Sequence, residues 1–315
     1  MALSDLATHV PKITLIIPVR NAAPYLPGLA AALQRQIPAP PAEILFLDSR
    51  STDATVPQIR TLFPESRVLT IESFSHGGTR QLGVQEANGE FVVFMTQDAL
   101  PANEHWLAEL LAPLLADPTL AATTSRQLPR PQAGILEQQQ VKLEFPPATE
   151  VQIRRPPPPG EKLTGAAIFF SNVSAAYRRQ CLLDHPFDAS LIMGEDQQAA
   201  RDLLLAGYGI AYAPASRVIH SHGYPLLALF RRYFDSAVAN RQVQQVQTTT
   251  ADPALPARQQ LRIFQELLRH HPATLPAFFL QNAVKAAALA CGRLSPRLPK
   301  SWCRRLSMHP AYWNR

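Results

Sequence analysis

The sequence predicts an α/β protein whose central sheet is mostly parallel and flanked by helices, with a helical, basic extension at the C-terminal end. Two observations support this prediction. Short apolar runs rich in β-branched residues alternate with helical segments through the first 125 residues, which is the pattern of βαβ units. Hydrophobic residues make up 46% of the 315 positions, which excludes a fully disordered chain and allows a large buried core.

The predicted strands and helices follow one another closely in the N-terminal part. Ile13–Pro18 is an apolar run that ends at a proline, and Thr52 or Asp53 can cap the helix after the second strand. Strands are expected at 13–18, 43–47, 67–71, 91–95 and 120–125, and helices at 21–36, 53–63, 78–88 and 103–115.

This alternation stops between Gln127 and Lys162, a stretch that includes Pro156–Pro159. A loop of that length inside a domain is either functional or disordered, and the sequence is compatible with both. Regular structure is expected again at 166–170 and 173–177, in a helix at 195–206, and in short strands at 210–212 and 217–219. Three helices should follow, at 226–247, 256–270 and 275–291.

The net charge of +6 is unevenly distributed. Residues 226–315 hold 13 of the 30 Lys and Arg residues but only three acidic ones, Asp235, Asp252 and Glu266. An anionic membrane surface, nucleic acid and plain solvent are all compatible with such a basic region. The aromatic residues at 230, 233 and 234 are compatible with a membrane contact or with a buried core.

Cysteine usage and the apolar stretches exclude other classes of protein. Cys181, Cys291 and Cys303 lie far apart and without CxxC spacing, which indicates neither a disulfide framework nor a structural zinc site. Met1–Pro11 shows no basic-then-apolar leader, so we expect no signal peptide. Leu275–Cys291 is interrupted by polar residues and is expected to be too short and too polar to span a membrane.

Polar residues follow three of the predicted strands, at the edge where open parallel sheets bind their ligands. We expect the three groups to line one crevice. Because neither GxGxxG nor GxxxxGK[ST] follows the first strand, a dinucleotide fold and a P-loop are disfavoured. The groups are Pro18-Val19-Arg20-Asn21, Asp48-Ser49 and Thr96-Gln97-Asp98.

Two acidic positions are candidates for chemistry, and each has a structural alternative. Asp98, after a strongly apolar strand, suits a hard divalent cation or the start of the next helix. A carboxylate of Glu195-Asp196, at the start of a helix, suits a general base or simple compensation of the helix dipole.

Two further motifs are equally ambiguous. His220 and His222 point the same way in an extended chain, so they face either a metal ion or the solvent. Gly77-Gly78 and Arg80 at a helix start suit a phosphate or a base edge, and they also suit an ordinary turn.

These motifs come in the order seen in family 2 glycosyltransferases, which the chain resembles from about Ile13 to Tyr233. Three segments are similar to bacterial rhamnosyltransferases of that family: Phe74–Pro101, Ser125–Ala133, and the stretch from Asn172 through Pro186-Phe187-Asp188 to His222.

The resemblance implies the GT-A fold, with its Rossmann-like sheet, over residues 1–225. Within it we expect a donor-binding half at about 11–126, the long loop at 127–162, and an acceptor and base half at 163–225. The helical basic region 226–315 would be a peripheral membrane contact.

The resemblance also implies a role for each candidate. Asp196 would be the catalytic base, and Glu195 and Asn172 would support it or bind the acceptor. Because Thr96 stands where the family has the first Asp of its Asp-x-Asp motif, Asp98 would be the charged metal ligand. His222 or His220 would supply the missing metal ligand or contact the diphosphate. The residues that would bind the nucleotide sugar are Pro18, Arg20, Asn21, Asp48, Arg80, Thr96, Gln97 and Asp98.

The implied reaction is an inverting, metal-dependent sugar transfer with Mg²⁺ or Mn²⁺ as cofactor. The donor would be dTDP-L-rhamnose and the acceptor a saccharide or lipid-linked saccharide in cell-surface polysaccharide synthesis of the O-antigen kind. The protein would work in the cytoplasm at the inner face of the cell membrane and would not bind nucleic acid. The alternatives are a family 2 enzyme that uses another nucleotide sugar, such as a UDP-sugar, and a non-catalytic nucleotide-sugar binder or membrane scaffold.

Overall fold

The computed structural model describes residues 12–37, 43–158, 160–244, 248–249 and 254–314. The expectation about a leader at Met1–Pro11 lies outside these residues. The strands are β1 Ile13–Val19, β2 Glu43–Asp48, β3 Arg67–Thr70, β4 Phe91–Met95, β5 Leu100–Pro101, β6 Leu120–Leu128, β7 Gln152–Arg154, β8 Leu163–Thr164, β9 Ser174–Arg178, β10 Gly209–Ile219 and β11 Thr248–Thr249. The helices are α1 Leu26–Gln34, α2 Thr55–Leu62, α3 His76–Glu86, α4 Trp106–Ala116, α5 Ile135–Glu144, α6 Arg179–Asp184, α7 Glu195–Leu205, α8 Leu226–Gln244, α9 Ala254–His270, α10 Leu275–Arg293 and α11 Lys300–Leu306.

The described part of the chain forms one nine-stranded sheet in the order β3-β2-β1-β4-β9-β6-β10-β5, with β7 paired to the edge of β10. Strands β3, β2, β1, β4, β6 and β10 run in one direction, whereas β9, β5 and β7 run antiparallel to their neighbours. The prediction of a mostly parallel α/β sheet is confirmed. Separately, β8 and β11 pair as a short parallel ladder.

Both faces of the central sheet are buried, which explains why β4 is apolar throughout and β1 is apolar except at Thr14. Leu15 and Ile17 pack on one face with Val93, while Ile16 packs on the other face with Phe94. Strands covered by helices on both sides need apolar residues at every position. Apart from Thr14, whose hydroxyl is hydrogen-bonded to Glu43 and Gly89, the first polar residues of each unit therefore come at the carboxyl ends of these strands.

Helix α1 begins at Leu26 and not, as predicted, at Asn21. Asn21 has a left-handed φ of 50°. The N–H groups of Ala22 and Ala23 donate to Oγ1 of Thr55 instead of entering a helix. The chain after β1 is thus a loop braced against the start of α2. Helices α3 and α4 also begin two or three residues from their predicted starts.

The prediction that 127–162 lacks regular structure was wrong for 15 of its 36 residues. Strand β6 continues to Leu128, and α5 and β7 follow within the segment. Helix α5 packs against apolar residues of α9 and α10, and such a helix is stabilised by tertiary packing more than by its own propensity. Likewise, β7 forms by pairing with β10.

Two later boundaries were also wrong. Residues 166–170 form turns, although Ile168 and Phe170 are buried, because an apolar run alone does not distinguish a strand from another buried segment. The two short strands expected at 210–212 and 217–219 are one strand, β10, with a register shift between Ala213 and Arg217. Pro214 lies at that irregularity, where prolines within sheets are tolerated.

The C-terminal helices pack onto the sheet domain. Phe234 of α8 is fully buried in a cluster that includes Ile192, Val238 and Cys303. Its place in the core excludes it from a membrane contact, so the core alternative is correct for this residue. Helix α8 in turn packs against α10.

One helical stretch among the described residues, Pro272–Arg293, is long and apolar enough to cross a membrane by length and composition, and 17% of its apolar window is buried. It has 22 residues, because a short 3-10 turn precedes α10. The expectation that this stretch is too short was therefore wrong.

Candidate active site

The loops after β1 and β2 form a rigid cradle at the edge of the sheet. Asp48 accepts hydrogen bonds from the backbone N–H and the hydroxyl of Ser51, with the hydroxyl 2.5 Å away. Ser51 Oγ in turn accepts from the N–H of Asn21 at 2.9 Å, and Asn21 Oδ1 accepts from the N–H of Thr52. The sequence-predicted residues Asn21 and Asp48 therefore belong to one hydrogen-bonded network.

Pro18 and Arg20 belong to the same edge. Pro18 lies in β1 beyond Ile16, the last residue paired with β4, so its missing N–H falls where that ladder has ended. Gln97, after β4, accepts from the N–H of Arg20 at 2.7 Å and donates to its carbonyl at 3.1 Å. The Gln97 side chain is thus used to fix the β1 loop, and the Arg20 side chain stays exposed.

A second group gathers around Asp98, which follows β4. Asp98 Oδ2 lies 3.4 Å from His222 Nε2 and 3.6 Å from His220 Nε2, and the two imidazole nitrogens are 3.1 Å apart. Strand β10 ends at Ile219, which delivers both rings to the same side of the chain. The predicted grouping of these three side chains is present.

The ligand atoms that this cluster offers, one carboxylate oxygen and two imidazole nitrogens, fit a divalent cation. His220 Nδ1 contacts Gln127 Oε1 at 2.8 Å, and Gln127 Nε2 donates to Ser171, so Nδ1 carries the proton and Nε2 offers its lone pair. Burial lowers the pKa of His220 to about 4 and also lowers the pKa of His222, so both rings are neutral at pH 7. Adjacent ligands at about 2.1 Å from an octahedral ion are about 3 Å apart, close to the spacing of the two nitrogens.

Arg130 would compete with a cation for the carboxylate of Asp98. Its Nη2 donates to the backbone oxygen of Asp98 at 2.8 Å and to Oδ2 at 3.1 Å. Its Nε donates to the carbonyl of Ser221. The guanidinium therefore neutralises Asp98 in this structure and ties β6 to the segment between the two histidines.

A third group lies at the start of α7. Gly194 precedes the helix with a φ of 82°, a conformation that glycine adopts without strain. Glu195 Oε1 is 3.0 Å from Arg80 Nη1, and both side chains are less than a tenth exposed. Burial raises the pKa of Glu195, but the charges of Arg80 and then His76 lower it more, so the pKa lies below its usual range. Glu195 is thus an ionised, paired carboxylate.

Asp196 has the opposite electrostatic environment. Burial, followed by the neighbouring charge of Glu195, raises the pKa of Asp196 to about 7. Its Oδ2 accepts from the N–H of Asn172 at 3.3 Å, and its Oδ1 accepts from the N–H of Gln197. Tyr177 donates to Oδ1 of Asn172 at 2.8 Å and fixes that amide. A carboxylate that titrates near neutral pH suits a general base.

One cavity of about 650 Å³ joins the second and third groups. The predicted residues Arg80, Thr96, Asp98, Asn172, Glu195, Asp196, His220 and His222 all line it. Pro18, Arg20, Asn21 and Asp48 are not among its lining residues and form the separate cradle described above. In the described part of the chain, Thr96 Oγ1 and Arg80 Nε are buried in this cavity without a hydrogen-bond partner.

Several lining residues were not predicted. Gln127, which lines the cavity, and Arg130, which contacts Asp98 from outside the lining, follow the fifth predicted strand, and the rule that drew attention to the other strand ends would have found them. Arg232 of α8 lines the cavity, donates to Met193 Sδ at 2.8 Å, and forms no ion pair with a described carboxylate. His309 reaches the same wall from the C-terminal end and contacts His76 edge to face. No local sequence pattern marks Arg232 or His309 as a lining residue.

Comparison with known proteins adds two kinds of similarity. The model for the family described as "Glycosyl transferase family 2" matches residues 14–182. The O-antigen chain rhamnosyltransferase RfbN of Salmonella typhimurium is 33% identical over 308 residues, 96% of each chain. The O-antigen chain rhamnosyltransferase WbaN of Salmonella anatum is 32% identical over 314 residues, 97% of this chain and 96% of that protein.

Solved structures are similar in fold. The mannosyltransferase PcManGT of Pyrobaculum calidifontis, in complex with GDP-Man and Mn²⁺, superimposes with a TM-score of 0.55 at 21% identity, over 98% of this chain and 86% of that one. S. aureus TarS in complex with UDP-GlcNAc gives a TM-score of 0.53 at 20% identity, over 96% and 85% of the two chains. The expected GT-A fold is confirmed.

Proposed function

This chain belongs to glycosyltransferase family 2, and from that premise we propose that it is an inverting, divalent-metal-dependent enzyme that transfers L-rhamnose from dTDP-L-rhamnose to a saccharide hydroxyl. The observation that carries the proposal is Asp196. Its carboxylate, with a pKa near 7, opens into the same cavity as the Asp98 and histidine cluster. A base and a site for a charged leaving group therefore share one cavity.

The donor would extend from the cradle into the cavity. Pro18, Arg20, Asn21 and Asp48 would hold the nucleoside, and the diphosphate would reach Asp98. The buried, unpartnered Oγ1 of Thr96 and Nε of Arg80 support this placement, since buried polar groups ordinarily have hydrogen-bond partners. Gln97 would contribute by fixing the Arg20 loop. The choice of rhamnose is supported by the two relatives named as rhamnosyltransferases.

Asp98, His220 and His222 would hold Mg²⁺ or Mn²⁺, which would neutralise the charge that develops on the departing diphosphate. Arg130 must then leave Oδ2 of Asp98 or share it. Arg232, with no described carboxylate partner, would add positive charge to the same wall of the cavity.

The chemical step needs only one proton transfer. The acceptor oxygen attacks the anomeric carbon, its proton moves to Asp196, and the bond from that carbon to the diphosphate oxygen breaks. Glu195, held by Arg80, keeps the pKa of Asp196 high enough to accept the proton. A single displacement inverts the anomeric configuration. Asn172 fixes the carboxylate that receives the proton.

We further propose that the acceptor is a saccharide or lipid-linked saccharide of a cell-surface polysaccharide. On this proposal, residues 1–225 carry donor and acceptor chemistry, with a donor-binding half at 11–126. Residues 226–315 place the enzyme in the cytoplasm at the inner face of the membrane. The basic composition of that region and the exposed Leu227, Phe279 and Trp302 support a membrane contact.

A transfer assay tests the proposed function. Purified protein, dTDP-L-rhamnose, Mg²⁺ and a saccharide acceptor extract should yield dTDP and a rhamnosylated product whose anomeric configuration, read by NMR, is opposite to that of the donor. The Asp196→Asn variant should bind donor but not turn it over. Retention of configuration, or full activity of the variant, would overturn the mechanism. Turnover with UDP-sugars alone would overturn the choice of donor.

A further inference from the structure

Besides the groups around Asp98 and Asp196, the cavity contains another polar group that the reaction described above does not use. It lies on the helical wall and comprises Gln140 and Glu144 of α5, Tyr233 of α8 and Lys285 of α10. Gln140 Nε2 donates to Glu144 Oε1 at 2.7 Å, and Lys285 Nζ donates to Gln140 Oε1 at 3.3 Å. The Lys285 ammonium also lies 5.2 Å from the centroid of the Tyr233 ring. Three separate helices thus bring one hydrogen-bonded group together.

The chemistry of this group suits a neutral, hydroxyl-rich ligand. A carboxylate accepts, an ammonium donates, and an amide does both, so adjacent sugar hydroxyls find complementary partners. The Tyr233 ring adds an apolar face with a polar tip. The opposite charges of Glu144 and Lys285 balance within this group, so the four residues offer a diphosphate no net positive charge of their own. The Asp98 end, with Arg130 and Arg232, is the cationic one.

The position of the group favours the acceptor over the donor. The nucleoside cradle at Asp48 is not part of the cavity lining, and the diphosphate is assigned to Asp98. In a single displacement the attacking hydroxyl must approach from the side opposite the leaving group. Among the lining residues assigned neither to the donor nor to the base are those of α5, α8 and α10, and this helical wall is where we place the acceptor.

We propose that Gln140, Glu144, Tyr233 and Lys285 form the subsite that binds the acceptor saccharide. This inference rests on the proposed function, since it takes the Asp98 end as the place of the donor. It gives the C-terminal helices a direct part in substrate recognition. It also explains why α5 is held in place by apolar contacts with α9 and α10, because a subsite on a loose segment would lose affinity.

Ligand-binding measurements on Lys285→Met and Glu144→Gln test the subsite. Lys142→Met is the matched control, because Lys142 is an exposed residue of α5 outside the cavity lining. The acceptor probes are the methyl glycosides of D-galactose, D-mannose, D-glucose and L-rhamnose, measured by saturation-transfer NMR with dTDP and Mg²⁺ present. The donor probe is dTDP-L-rhamnose, measured by calorimetry without any glycoside.

At least one glycoside should bind the wild type and Lys142→Met, and its affinity should fall about tenfold or more in the two subsite variants. Donor affinity should stay at the wild-type value in both. Unchanged glycoside affinity, or no glycoside binding to the wild type, would overturn the subsite. An equal loss of donor affinity would also overturn it, by moving the group to the donor site. Failure of the proposed function itself would look different: the wild type would bind no nucleotide sugar, or Asp196→Asn would remain active.

Discussion

The Asp196→Asn variant should be less active and more stable than the wild type at the same time. As a base, Asp196 must be ionised, yet burial and the charge of Glu195 make ionisation costly and raise its pKa to about 7. Asparagine keeps the size and part of the hydrogen bonding of the side chain but cannot take a proton. Losing a general base typically costs about 10²- to 10⁴-fold in rate.

The stability gain follows from the same pKa. A carboxyl group whose pKa is higher in the folded than in the unfolded state stabilises the fold fully at low pH and loses this contribution as pH rises through the folded value. The pKa of Asp196 rises from 3.8 in the unfolded chain to about 7 in the folded one. Relative to low pH, this difference lowers the free energy of unfolding by about 4 kcal/mol at pH 8 and by about 2 kcal/mol at pH 5. The asparagine variant escapes this cost.

Urea unfolding of the wild type and Asp196→Asn at pH 8 and pH 5 measures the difference. The variant should be more stable at pH 8, and the gain should shrink at pH 5. Glu65→Gln, which neutralises an exposed carboxylate, should change stability little at either pH. A variant with full transfer activity, or one without a stability gain at pH 8, would refute the assignment of Asp196 as the buried base.

Three more predictions concern the site and its support. The kcat/KM for dTDP-L-rhamnose should fall about tenfold per pH unit below about pH 7, as Asp196 becomes protonated; a profile flat to pH 5 would contradict this. EDTA should abolish transfer, and Asp98→Ala should weaken donor binding measured by calorimetry. The control Asp184→Ala, at an exposed position, should leave donor binding unchanged. Transfer activity that survives both EDTA and Asp98→Ala would exclude a role for the metal. Gly77→Ala should destabilise the fold by about 1–3 kcal/mol in urea unfolding, because its Cβ would collide with the carbonyl oxygen of Asp188; Gly134→Ala, whose Cβ meets nothing within 4 Å, is the control.

The strands of the parallel part of the sheet were predictable because local sequence patterns mark them. Apolar runs such as Phe91–Met95 end at polar residues, and the rule for parallel sheets places those residues at one edge. Asp98 was found in this way. The histidines at 220 and 222 were found by their spacing, and the structure brings them within reach of Asp98.

The helical wall of the cavity was not predictable in the same way. Helix α5 was mistaken for part of a loop because its stability comes from α9 and α10, more than a hundred residues away in the sequence. Arg232 and Lys285 looked like members of a solvent-exposed basic region, although both line the cavity. The sign of a charge can be read from a sequence, whereas the element it faces depends on tertiary packing. The ion pair of Arg80 with Glu195 was missed for the same reason.

The central claim is that the cradle and the cavity together bind a deoxythymidine diphosphate sugar with a divalent cation, and thermal unfolding with a panel of nucleotide sugars tests it most directly. The panel should contain dTDP-L-rhamnose, dTDP-D-glucose, UDP-D-glucose and GDP-D-mannose, each with and without Mg²⁺. A ligand that binds only the folded state stabilises it by RT ln(1 + [L]/Kd), so at equal concentrations the tighter ligand raises Tm more. We predict the largest rise for dTDP-L-rhamnose, and only with Mg²⁺ present. A larger rise with UDP-D-glucose or GDP-D-mannose, or no rise with any nucleotide sugar, would contradict the account.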